Sequence, residues 1–164
     1  MTDLSDRGDL AKVAELIRKI RVALLTTLDT HGRLHSRPVQ LLQLESDRTL
    51  WFFTDWHSPK VTELQNDERV GLGFADPASS TFVVVSGTGR LLRDPVKARE
   101  LWTAEQRAFY PDGPQDSRLA LLRVEIELAE YWLAPGRTSY LVAAAHAAVT
   151  GEPAEILGKH GKVD

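Results

Sequence analysis

The run TFVVVSGTGRLLRD, residues 81–94, constrains the fold most. It is rich in β-branched residues, which favour a pleated strand, yet Gly87 and Gly89 interrupt it. Glycines inside so long a strand mark a bulge or a sharp bend, as at a barrel corner. Other β-type segments surround it. VALLTTL (22–28) leads through Asp29-Thr30-His31-Gly32 into LHSRPVQLLQL (34–44), the pattern of a hairpin. Pro38 cannot donate to a ladder, so the second of these strands must have an edge, a bulge or an interruption there. The turn Ser46-Asp47-Arg48 precedes TLWFFTD (49–55), and RVGLGFAD (69–76) is a further strand. In LLRVEIELAEYWL (121–133), Leu122, Val124, Ile126 and Leu128 alternate with Arg123, Glu125 and Glu127, the signature of a half-buried strand. Trp132 falls in the apolar phase of that strand, which places it in the core.

The helical signals are few. Leu10, Val13, Ala14, Ile17 and Ile20 form one apolar stripe. Ser58-Pro59 caps and opens a short helix that ends near Asn66-Asp67-Glu68, and Asp94-Pro95 opens another from about residue 95 to 108. Thr138 to Ala148 is a last, small and apolar helix. Six strands with short helices between them do not make a parallel βαβ sheet. They predict a mainly β fold, an antiparallel six-stranded barrel with peripheral helices. Residues 1–150 are expected to form a single domain, and 151–164 a loosely ordered tail.

Composition narrows the function. The 164 residues carry a formal net charge of −3 and no cysteine. No basic field draws the chain to nucleic acid or anionic lipid, and disulfides, thiolate metal sites and a cysteine nucleophile are excluded. The polar, acidic start MTDLSDRGDL has no signal-peptide pattern, and no apolar run reaches the roughly 20 residues of a spanning helix. The expected setting is the cytoplasm.

No Walker loop, GxSxG, HExxH or Rossmann fingerprint is present, and the five histidines lack metal-ligand spacing. The notable polar group is Lys60, a cation in the first turn of a helix, where carboxylates are favoured. It is either a solvated lysine or part of an anion pocket with the Ser58 hydroxyl and the helix N–H groups. Arg37 shares a strand face with His35, Val39 and Leu41; it is either an edge-strand charge or the second jaw of a phosphate clamp.

The succession HSRPVQ (35–40), LWFFTDWHSPKVTEL (50–64) and RVGLGFAD (69–76) resembles the FMN-binding split β-barrel proteins of the pyridoxamine 5′-phosphate oxidase-like superfamily. DPVKARELW (94–102) and FYPDGPQDSRLALLRVEIELAEYW (109–132) match its bacterial general stress protein branch. The resemblance implies a homodimer with FMN in two clefts along the subunit interface. It assigns the flavin phosphate to Arg37, Ser58 and Lys60. Ser36, Arg37, Pro38 and Val39, with Phe53 and Thr54, would lie along the flavin ring and ribityl chain, and Trp132 would approach the flavin from the partner.

Three departures qualify the resemblance. Pro59 stands where the vitamin B6 oxidases have an arginine. Thr81-Phe82-Val83 lacks their flavin-contacting glutamine, and the arginine motif that grips the substrate phosphate is absent after Trp132-Leu133. The implied activity is therefore flavin-dependent oxidoreduction on a substrate other than a B6 vitamer. The alternatives are a flavin-binding or sensing module without turnover, or a haem- or deazaflavin-binding split barrel, with His35 and His57 beside the cleft.

Overall fold

The computed structural model describes residues 4–45, 48–134, 137–151 and 159–164. In chain order its elements are α1 (Leu4–Ile20), β1 (Val22–Leu28), β2 (Leu34–Glu45), β3 (Thr49–Asp55), α2 (Pro59–Asn66), β4 (Arg69–Asp76), β5 (Thr81–Leu92), α3 (Pro95–Leu101), β6 (Leu119–Leu133), α4 (Arg137–Thr150) and β7 (Lys159–Val163). Ser46 and Asp47 of the expected β2–β3 turn lie outside the described residues.

Strands β1 to β6 close an antiparallel ring, β1-β2-β3-β6-β5-β4 and back to β1. This is the six-stranded barrel that the strand pattern predicts. Its interior holds Leu25, Leu41, Leu50, Phe52, Leu72, Phe74, Val83, Val85, Leu122 and Val124, and Val13, Ala14 and Ile17 of α1 belong to the same cluster. Each large apolar side chain fully buried there contributes about 1.5–3 kcal/mol.

The pairing of β5 with β6 departs from simple alternation. It steps from Ser86↔Leu128 to Gly87↔Ile126, which leaves Glu127 as an extra residue on β6. A Cβ at Gly87 would stand 1.9 Å from the Glu125 carbonyl oxygen, so only glycine permits this approach. The bulge inverts the alternation: Val124 and Ile126 point inward before it, Ala129 and Tyr131 after it. Leu128 and Trp132 are thereby moved off the core face, and Trp132 is 39% exposed. The core placement of Trp132 expected from strand phase is overturned by this one inserted residue.

Two further expectations are corrected. The helix expected over 95–108 stops at Leu101 and resumes as a 3₁₀ turn at Ala104–Ala108. Trp102 adopts an extended backbone there, and its ring packs on Phe53 at 5.9 Å between centroids. Within the 151–164 stretch read as a loose tail, Lys159–Val163 form β7. It pairs with Ala129–Leu133 of β6, on the edge whose Leu119–Glu125 portion is occupied by β3. Backbone pairing, with Val163 buried in the core cluster, gives this polar segment an order its composition does not advertise.

Helix α2 lies at one end of the barrel. Its Val61 and Leu64 are buried, and Leu64 reaches the glycine gap at Gly89, where a Cβ would come 3.2 Å from the Leu64 Cδ2. That seat determines where Lys60 and Glu63 emerge.

Candidate functional site

Residues 34–40 of β2 pair with β1, but the β2–β3 register begins only at Leu41. One edge of β2 is thus open, and the barrel is split there. Leu41 N–H donates to the Arg21 carbonyl across from β2, so the amides of odd-numbered residues face β1 and those of even-numbered residues face the opening. Pro38 occupies one of these outward positions, where a missing N–H breaks no ladder bond. Ser36 and Gln40 keep amides directed at the gap.

Across the strand pair, Arg37 lies opposite Leu25 and His35 opposite Thr27, so all four share the inner face of the barrel end. Helix α2 covers this end and sends Glu63 into it. The Glu63 carboxylate is buried; it accepts from Thr27 Oγ1 at 2.5 Å and from Arg37 Nη2, and lies 2.8 Å from His35 Nδ1. Arg37 Nη1 donates to Thr27 Oγ1 at 2.5 Å. Burial alone would raise the Glu63 carboxyl, but the hydrogen bonds from Thr27, His35 and Arg37 and the Arg37 charge outweigh it and hold the group below its ordinary range.

Lys60 approaches from the first turn of α2. Its Nζ donates to Thr54 Oγ1 at 3.0 Å and to Ser58 Oγ at 3.3 Å. Burial lowers the Lys60 pKa most, and the Arg37 charge lowers it further, against the opposing pull of Asp55 and Glu63. The geometry agrees: Arg37 pairs with Glu63, which follows Lys60 by three residues on α2, so both cations lie at this barrel end. Ser58 stands at the N-cap position of α2, yet its side chain makes no capping bond; it donates instead to the Asp55 carbonyl at 2.7 Å. The contrast is Asp94, whose carboxylate accepts from Val96 N–H and Lys97 N–H as a cap should. The expectation that Ser58 caps its helix is corrected, and the reason is local. With Pro59 at the first position, the hydroxyl turns towards Asp55, Thr54 and Lys60.

Thr54, Ser58 and Lys60 are thus joined by hydrogen bonds, and Arg37 is tied to the same helix through Glu63, one turn beyond Lys60. Ser36 and Pro38 lie on the outer face beside the open edge, with Ser36 Oγ 2.7 Å from Thr26 Oγ1, and Val39 packs partly buried against the core. The Phe53 side chain points the other way, between Trp102 and Tyr110, so that only its backbone adjoins Thr54. Trp132 is remote from this group within one chain; its ring stacks on His160 of β7 at 5.1 Å. Thr27 and Glu63 are site residues that sequence reasoning missed. The one signal for Glu63 was its place between the apolar Val61 and Leu64 on a short amphipathic helix.

A second feature adjoins the split. Leu24 on β1, Gly73 on β4 and Val84 on β5 form one cross-strand row, with Pro38 opposite Leu24. Phe82 and Trp132 form the neighbouring row. Val22, Leu24, Phe82, Val84 and Trp132 are between 39% and 56% exposed, an apolar outer sheet face. Among the described residues, no helix is long and apolar enough to cross a membrane, and no group of histidine, aspartate and glutamate residues could hold a metal ion.

A closed antiparallel barrel, split at one strand and with a polar group under a short helix at the split, defines a split-barrel protein. The chain belongs to the pyridoxamine 5′-phosphate oxidase like family, whose family model matches residues 8–155. It is 29% identical over 147 residues to Protein bli-3 of Neurospora crassa, spanning 83% of this chain and 70% of that one. It is 30% identical to the general stress FMN/FAD binding protein of Xanthomonas citri, with a TM-score of 0.66 over 77% of this chain and 89% of that one. A Clostridium acetobutylicum protein related to general stress protein 26 of B. subtilis shares the fold, with a TM-score of 0.72, 97% coverage of both chains and 19% identity.

Proposed function

We propose that this chain binds FMN as a homodimer and acts as a flavin-dependent oxidoreductase of general stress protein type. The observation that carries the reading is the meeting of Arg37 and Lys60 beside the Thr54 and Ser58 hydroxyls. Arg37 is ion-paired with Glu63, while the half-buried Lys60 ammonium is hydrogen-bonded to the neutral Thr54 and Ser58 hydroxyls, a cation that an anion stabilises. A flavin phosphate, with about two negative charges, suits that donor set. The open edge of β2 supports the rest of the assignment. The Ser36 and Gln40 amides are available there as donors to the rim of a flat ring, and Pro38 and Val39 supply apolar surface. The name of the Xanthomonas citri relative, an FMN/FAD binding protein, points to the same class of cofactor.

FMN would supply the redox chemistry. The chain's own part is binding and orientation: Arg37, Ser58 and Lys60 anchor the phosphate, and the ring lies along the split. The apolar outer face of β1, β4 and β5 is the surface two copies would share. That arrangement brings Trp132 of one copy near the split of the other. The proposed setting is the cytoplasm, in keeping with the absence of cysteine.

The test is the absorption spectrum and ligand mass of the purified protein, followed by titration with FMN. Oxidised-flavin bands, or saturable uptake of added FMN, are expected. A colourless protein that ignores FMN overturns the reading. Oxidation of NADH or NADPH with an electron acceptor then separates an oxidoreductase from a flavin carrier.

A further inference from the structure

We propose that Glu63 is a positioning residue of the phosphate site, acting through Arg37. The inference rests on the flavin-phosphate reading above and assigns a role to a residue that reading does not use. Glu63 follows Lys60 by three residues on α2, so one helix face carries both groups to the barrel end. Its side chain is only 7% exposed, and each of its oxygens is engaged: Oε2 by Thr27 and Arg37, Oε1 by His35.

The geometry around the guanidinium is what gives this carboxylate a purpose. Arg37 sits on the open stretch of β2, where no third strand restrains it. Unrestrained, an arginine has many rotamers, and a ligand must order it at an entropic cost. Here Nη2 bonds to Glu63 and Nη1 to Thr27 Oγ1, while Thr27 Oγ1 itself donates to Glu63. The three groups form a closed triangle that holds the guanidinium before any ligand arrives. A carboxylate beside an anion site repels the anion, so its benefit to binding must come through the arginine it holds. Thr27 serves as the neutral bridge in the triangle.

The test compares FMN with riboflavin, which lacks the phosphate, by flavin-fluorescence titration of Glu63→Gln, Arg37→Ala and the double variant. Glutamine keeps the shape but removes the carboxylate charge, so the ion pair to Arg37 is lost. We expect FMN affinity to fall five- to tenfold in Glu63→Gln with riboflavin affinity unchanged, and no further fall when the substitution is added to Arg37→Ala. Unchanged or tighter FMN binding, an equal loss for riboflavin, or an undiminished loss in the Arg37→Ala background each overturns the proposal. If Glu63→Gln does not fold, Thr27→Val and Thr27→Ser decide. Valine breaks the triangle and should lower FMN affinity alone, serine should preserve it, and indistinguishable variants count against the proposal. Should the wild-type protein bind no flavin, the functional reading fails separately. Inorganic phosphate, followed by the amide NMR shifts of Ser58 and Lys60, then takes the place of FMN: weaker phosphate binding in Glu63→Gln sustains the role of Glu63, and a wild-type protein indifferent to phosphate removes it.

Discussion

Lys60 Nζ stands 3.0 Å from Thr54 Oγ1, joining the first turn of α2 to the end of β3. The ammonium is half-buried, and it has Arg37 as a near neighbour of like charge. The proposed phosphate site rests on that placement: Lys60 is tied to β3 and to Ser58 rather than left in solvent at a helix start.

Removing either jaw should therefore weaken a phosphorylated ligand. Lys60→Ala and Arg37→Ala are each expected to cost about 1.5–3 kcal/mol of FMN affinity, the range for a hydrogen bond to a charged group. Isothermal titration with FMN measures this. Unchanged affinity in both variants would remove the clamp from the site.

The outer sheet face should hold two copies together. Leu24→Asp puts a charge at the centre of the row that Gly73 and Val84 complete. Sedimentation is expected to show a dimer for the wild type and a monomer for the variant, with flavin lost in parallel. A wild-type monomer that retains flavin would contradict the shared-face arrangement.

The bulge at Gly87 should be intolerant of any side chain. Gly87→Ala sets a methyl group against the Glu125 carbonyl, and the backbone must move to admit it. We expect a loss of about 3 kcal/mol in chemical denaturation, the upper end for overpacking. A wild-type midpoint would show that the strand pair relaxes freely.

Acid should expose the buried carboxylate. The Glu63 pKa is depressed in the folded protein, so its stabilising share is fully present above the ordinary glutamate value of about 4.3 and is lost as pH falls through the lower folded value. Asp29, held at about 2 chiefly by the Arg33 backbone N–H, and Asp67, held at about 2 chiefly by the Arg69 side chain, act in the same direction. Glu63→Gln should therefore flatten the acid limb of a stability profile by up to one proton while the aspartates keep the remainder. Parallel acid limbs for variant and wild type would show that Glu63 does not titrate with unfolding.

The sequence alone determined the barrel strands. Hydrophobic alternation, turn residues and Gly87 are local signals, and β1 and β3 fall at the residues the pattern marks, as does α2. Pro38 signalled an edge, a bulge or an interruption in its strand, and the structure shows an edge: β2 runs unbroken through it and is open on one side. Arg37 and Lys60 were legible as candidates because a charge on a strand face and a cation at a helix start are each locally unusual. Their convergence was not legible, since 22 residues that include the whole of β3 separate them, and only barrel closure and the seating of Leu64 bring them to one end. The tertiary structure also decided what one residue does to a whole strand. Glu127 slips out of register, and every side chain after it changes face, which sends Trp132 from the expected core to the surface. Glu63 shows the same limit: as a letter it is one more helix carboxylate, and its partners Thr27, His35 and Arg37 lie on two other strands. Periodicity reports which way a side chain points along its own element. What that side chain meets depends on pairing between distant segments, and that only the folded barrel supplies.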